Sequence, residues 1–105
     1  MMATINLVSN TGNKSNATVV LHNGRSVHPD LFERIRNQVV ERIPLLQPNT
    51  KYTLSKICGE EFWDGLSRGE KTRAGWCMEH ISAMKELPLV FIEKSVENAN
   101  LYQLL

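Results

Sequence analysis

The chain has no surplus of charge of either sign, few cysteines and no long apolar run, and each shortage narrows what it can be. Twelve Lys or Arg face eleven Asp or Glu in 105 residues, a formal net charge of +1. Non-specific affinity for nucleic acid comes from neutralising phosphates, so a chain this neutral cannot rely on bulk charge. Residues 51–105 hold seven Lys or Arg against eight Asp or Glu, and any attraction for phosphate there must be local. No apolar stretch approaches the roughly 20 residues of a membrane span, and the first residues lack the basic-then-apolar layout of a secretory signal. The expectation is a cytoplasmic protein with no membrane partner. The two cysteines, Cys58 and Cys77, sit among apolar neighbours and read as buried thiols rather than as a disulfide.

Metal and catalytic chemistry are short of parts as well. Cys77 and His80 lie three apart, and Cys58 could approach from the preceding segment, but zinc needs four ligands in a structural site, or three and a water. No paired C-x-x-C spacing supplies the rest. Glu60, Glu61 and Asp64 are crowded acids at a helix start, where the macrodipole stabilises them without any catalytic role. Gly65, Gly69 and Gly75 lack the fixed spacing and the Lys-Ser or Lys-Thr pair of a phosphate-cradling loop. The chain therefore reads as having no catalytic residues, no metal and no cofactor, and as not an enzyme.

What is present suffices for one domain over residues 1–105, since 42% of the chain is apolar and this length buries a core without staples. Thr4 to Val8 and Ala17 to His22 are β-prone runs flanking the turn-rich SNTGNKSN. Residues 1–24 thus read either as a β segment, most simply a hairpin of those two runs, or as a partly flexible arm. Asn13-Lys-Ser and Asn16-Ala-Thr match the glycosylation sequon but read as turn chemistry. His28-Pro29-Asp30 opens a helix within residues 27–47, with Pro pre-organised for the first helical position. Leu31, Ile35, Val39 and Ile43 carry its apolar stripe, Phe32 and Val40 widen it, and Pro44 ends it.

The second half is punctuated by caps. Thr53 caps a short helix, Leu54 to Cys58, that Gly59 stops. A further turn, Glu60 to Leu66, brings Phe62, Trp63 and Leu66 to one side. Ser67 and Glu70 form an S-x-x-E capping box, so a long helix begins at Arg68 and is expected to run to about Glu86, before Pro88. Ala74, Cys77, Met78, Ile81 and Met84 recur at helical spacing as its inward stripe, with Thr72, Arg73, Trp76, Glu79, Ala83 and Glu86 facing away. LPLVFIEK and NLYQLL then form an antiparallel hairpin across SVENA.

Short helix, turn, long helix and two-stranded hairpin over residues 53–105 resembles the winged helix-turn-helix family, and GEEFWDGLSRGE looks like segments of small phage and plasmid proteins. The fold class is then α+β. The resemblance implies binding to duplex DNA, with the long helix in the major groove and the hairpin over the adjacent backbone. The residues it points to are Arg68, Lys71, Thr72, Arg73, Trp76 and Lys94. A homodimer is expected, because one module this neutral binds weakly alone. The alternative is a module of the same fold that docks on a larger host protein through Trp76, as an inhibitor or adaptor.

Overall fold

The structure, a computed structural model, describes residues 18–105. It is α+β, with helices and two small antiparallel sheets. The Thr4–Val8 run and both sequon asparagines lie outside the described residues.

The described residues open on a hairpin. Val19–Val20 (β1) pairs with Ser26–Val27 (β2), in the register Val19 to Val27 and Val20 to Ser26. The cause is the Asn23-Gly24 turn. Gly24 takes φ 87°, where only glycine is unstrained, and the Asn23 side chain accepts from the Arg25 amide at 3.0 Å. Leu21 and Val27 are buried beneath it.

Helix α1 spans Pro29–Arg42, with His28 Nδ1 accepting from the Asp30 amide and Pro29 in the first turn. Its stripe of Leu31, Ile35 and Val39 is buried, but Val40 is 42% exposed and does not widen it. One residue advances the helix by about 100°, which carries Val40 past the edge of the stripe. The α-helix stops at Arg42, and Ile43–Leu45 continues as a 3-10 turn with Pro44 inside it.

Two short helices follow, α2 at Leu54–Cys58 and α3 at Glu60–Asp64. Thr53 caps α2 by accepting from the Lys56 amide. The orphan carbonyls at its far end are met from α1: Gln38 Nε2 donates to the Cys58 carbonyl at 2.7 Å and Arg42 Nε to the Ile57 carbonyl at 3.1 Å. Gly59, at φ 92°, lets the chain turn there, and a β-carbon on it would come within 3.2 Å of the Arg42 guanidinium carbon.

The long helix α4 runs Arg68–Ala83, opened by the capping box of Ser67 and Glu70. Ala74, Cys77, Met78 and Ile81 are buried on it. The expected extension to Glu86 does not occur. Lys85 adopts φ 57°, its amide bonds the Ser82 carbonyl at 3.1 Å and the Glu86 amide bonds the Ile81 carbonyl at 3.0 Å, a left-handed C-terminal motif that closes the helix before Pro88 is reached. Met84, past the last helical residue, is 56% exposed rather than inward.

Leu89–Lys94 (β3) and Asn100–Leu104 (β4) form the second hairpin. Tyr52 adds an isolated bridge to Tyr102, exchanging two backbone hydrogen bonds of 2.8 Å. A shift of register between Phe91 and Glu93 leaves Ile92 as a bulged residue, which reverses the alternation of faces beyond it. The buried core joins α1, α2, α4 and the hairpin through residues such as Ile35, Ile57, Met78, Leu89 and Tyr102, with Phe62, Trp63 and Trp76 packed on its margin.

Ile81 is fully buried, so Ile81→Ala is expected to destabilise the fold by about 2–4 kcal/mol through lost burial and a cavity. Unfolding of the variant at the wild-type denaturant midpoint refutes this placement. Both cysteines are free and buried. Burial pushes the Cys58 thiol up to about 12, against a smaller opposing effect of Arg42, and the Cys77 thiol up to about 11. Thiol reagents at mildly alkaline pH are expected to label neither until the chain unfolds. Because the folded thiols keep protons that the unfolded chain loses from about pH 9, their share of stability is complete below that pH and declines above it.

Candidate functional site

Burial of the α4 stripe determines what its opposite face presents. With Ala74, Cys77, Met78 and Ile81 turned inward, the 3.6-residue period turns Arg68, Thr72, Trp76, Glu79 and Ala83 outward. A groove runs between this face and the loop end of the β3–β4 hairpin. Lys71, Thr72, Trp76 and Lys94 all line it, over a floor that includes Met78 and Tyr102.

Four of the six residues singled out in the sequence therefore share one groove, and two do not. Arg68 sits exposed at the first turn of α4. Arg73 folds back along the helix, its guanidinium lying 3.3 Å from where a β-carbon at Gly69 would stand. Thr72 turns its hydroxyl to the Arg68 carbonyl at 3.3 Å. Lys94 reaches the groove because of the bulge at Ile92. Strict alternation from Phe91, whose ring meets that of Tyr102 edge-on at 6.1 Å, puts residue 94 on the other face of the sheet; the extra residue returns it to the α4 side.

A polar relay crosses the groove wall. Lys94 Nζ donates to Asn100 Oδ1 at 2.7 Å, and Asn100 Nδ2 donates to Glu79 Oε2 at 3.0 Å and to Tyr102 Oη at 3.2 Å. Burial raises the Tyr102 hydroxyl above its ordinary range, with the Asn100 hydrogen bond opposing and the Glu79 charge adding. Asn100 thus ties the hairpin to α4 and neutral Tyr102 to both.

The amino-terminal hairpin closes the site from the other side. The Arg25 guanidinium lies 4.5 Å from the centre of the Trp76 ring, a cation–π contact that covers part of an aromatic otherwise left bare on the outward face. The same turn is fastened by the His22 amide, which donates to His80 Nδ1 at 2.8 Å. His80 Nε2 lies 3.6 Å from Glu86 Oε2, so geometry assigns the neutral ring its proton on Nε2. Arg25, Glu79 and Asn100 were not singled out in the sequence. The Asn23-Gly24 turn was the signal available for Arg25, whereas the contacts of Glu79 and Asn100 depend on tertiary packing that no local pattern announces.

Charge is arranged unevenly around the groove. Ion pairs join Arg34 to Glu70, Arg36 to Glu86 and Lys51 to Glu93. Among the described residues, none joins Arg25, Arg68, Lys71, Arg73 or Lys94 to an acid. The amino end of α4 already has an anion of its own: Glu70 Oε1 accepts from the Ser67 amide at 2.8 Å. That amide, with Arg34 assisting, holds the Glu70 carboxyl below its ordinary range. Helix polarity is thereby satisfied internally, and attraction for a phosphate rests on the side-chain cations.

No family model, no curated protein and no solved structure matches this chain. Asn100→Ala removes three side-chain hydrogen bonds at the groove wall and is expected to cost about 1–3 kcal/mol, read by denaturant unfolding. An unchanged midpoint contradicts the relay.

Proposed function

We propose that the chain is a small DNA-binding protein of winged helix-turn-helix type, acting as a transcriptional regulator of phage or plasmid kind. The observation that carries the reading is that, of the eight described Lys and Arg without an acid partner, five lie about the outward face of α4 and its groove: Arg25, Arg68, Lys71, Arg73 and Lys94. The order of elements supports it: α1, a strand residue at Tyr52, the helices α2, α3 and α4, then a hairpin that receives Tyr52 as a third strand position. In this reading α4 enters the major groove of duplex DNA and the loop between β3 and β4 lies over the adjacent backbone. Lys71 and Lys94 contact phosphates on the two sides of the groove, Arg68 and Arg73 reach backbone or base edges, and Thr72 offers its methyl to a thymine. Glu79 opposes phosphate and limits how deeply the backbone settles.

A second reading, a module that docks on a larger host protein, is favoured by one feature. Trp76 is a large, half-buried aromatic on an otherwise polar face, the kind of residue that anchors protein interfaces.

Gel-shift titration against random duplex over a salt series separates the two. If all five cations meet phosphate, the logarithm of affinity falls with the logarithm of salt at a slope of about −4 to −5. Lys71→Ala and Arg73→Ala are each expected to weaken binding and flatten that slope by about one unit where the side chain meets phosphate. Should neither variant alter the biological activity while Trp76→Ala abolishes it in a folded domain, the DNA reading fails and the host-protein reading replaces it.

A further inference from the structure

His80 stands between two partners that only one form of its ring can serve. Its Nδ1 accepts the His22 amide at 2.8 Å, which requires a lone pair on that nitrogen. Its Nε2 lies 3.6 Å from Glu86 Oε2, whose carboxylate suits a proton on that nitrogen in either form of the ring. Neutral imidazole with its proton on Nε2 satisfies both. The imidazolium carries N–H on both nitrogens and accepts nothing, so a proton on Nδ1 and the His22 hydrogen bond exclude each other. Enclosure leaves little room for a compromise: the His80 side chain is 14% exposed, with the His22 ring 5.7 Å and the Phe32 ring 5.9 Å from its own.

The turn that brings His22 to this ring also carries Arg25. The Leu21 amide bonds the Arg25 carbonyl at 2.7 Å, the Gly24 amide bonds the Leu21 carbonyl at 2.9 Å, and the Asn23 side chain accepts from the Arg25 amide. Residues 21–25 are thereby one tied unit, pinned at one end by buried Leu21. From the other end the Arg25 guanidinium covers Trp76, one turn before His80 on α4. We propose that protonation of His80 releases this turn from α4, drawing Arg25 off Trp76 and uncovering the indole at the edge of the groove. The fastened turn binds one proton fewer on His80 than the released one, so acid favours release. Imidazole changes charge between about pH 5 and pH 8, which sets the window. The surrounding charges leave the ring to decide. His22, on the turn itself, repels a charged His80 when it too is protonated, and so acts in the same direction. Glu86, after α4, is held by Arg36 of α1 at 3.3 Å. Glu79, next to His80 on α4, and Lys94 of β3 are both engaged by Asn100. Nothing in this release depends on what the groove binds.

The test is proton–nitrogen NMR of the full chain from about pH 8 to about pH 4.5, a span that covers the imidazole range. It follows the ring nitrogens of His22, His28 and His80, the His22 amide and the Trp76 indole. At the alkaline end His80 is expected to carry its proton on Nε2 alone. On acidification the His22 amide should lose its hydrogen-bonded shift and the Trp76 indole should move, both with the midpoint of the His80 ring, while the signals of buried Ile35 and Ile81 stay native. His80→Asn puts an amide oxygen near the Nδ1 position and does not titrate, so its His22 amide and Trp76 signals should hold throughout. His22→Ala keeps the backbone amide and removes the second ring, and the transition should remain. A His22 amide that keeps its shift while the His80 ring protonates overturns the proposal, as does a His80 ring that stays neutral to the acid end in a native fold, or a Trp76 transition that persists in His80→Asn. If His80→Asn does not fold, the midpoints in wild type and His22→Ala decide: amide and indole transitions that follow any ring other than that of His80 overturn it.

Discussion

Everything in this structure depends on α4 burying a narrow stripe. Ala74, Cys77, Met78 and Ile81 are fully buried, and α1 and the β3–β4 hairpin both pack against this helix. The stripe contains one alanine and one cysteine, small enough for neighbours to approach closely, and no polar side chain that burial would penalise. Fixing that side inward leaves the helix no freedom about what it shows outward. Arg68, Thr72, Trp76 and Glu79 form a surface because their neighbours at helical spacing form a core.

Around this helix the structure closes its backbone hydrogen bonds with side chains borrowed from elsewhere. Gln38 and Arg42 of α1 satisfy the end of α2, Ser82 of α4 accepts from the Phe91 amide of β3 at 3.2 Å, and Tyr52 receives the amide of Gln47 on its hydroxyl at 2.8 Å. Such bonds are individually worth about 1 kcal/mol net, but each joins two elements that local sequence does not connect. The groove beside α4 is shaped by the same kind of tie, through Asn100 and Glu79. Stability and site geometry thus draw on one set of contacts, which is why variants at the groove need a folding control.

Local signals were legible in the sequence, and long-range ones were not. Thr53, Gly59, Ser67 and Glu70 announced where helices begin and end because each acts within four residues of itself. The inward stripe of α4 followed from period alone. The end of α4 was misplaced because Lys85, not a glycine, takes the left-handed position, and nothing in residue type marks it. Spacing alone puts Val40 and Met84 inward, but the partner surface is too narrow to cover either. The hairpin at Asn23-Gly24 has a local signal too, in the dipeptide itself, whereas the pairing expected of the Thr4–Val8 run lies outside the described residues. For the candidate site, Lys71, Thr72, Trp76 and Lys94 do meet in one groove, while Arg25 reaches Trp76 only through the packing of the Asn23-Gly24 hairpin on α4.

The bulge at Ile92 lets the strand change length without changing what it presents. Ile92 has no partner across the ladder, so Phe91 opposes Tyr102, Glu93 opposes Leu101 and Lys94 opposes Asn100 on either side of it. Losing that residue restores plain alternation, with Phe91 and Lys94 still turned inward and Glu93 still outward. Over evolutionary change, the stretch from Leu89 to Lys94 is therefore free to shed its unpaired residue: the cross-strand partners, more than the length of the strand, are what selection must preserve there.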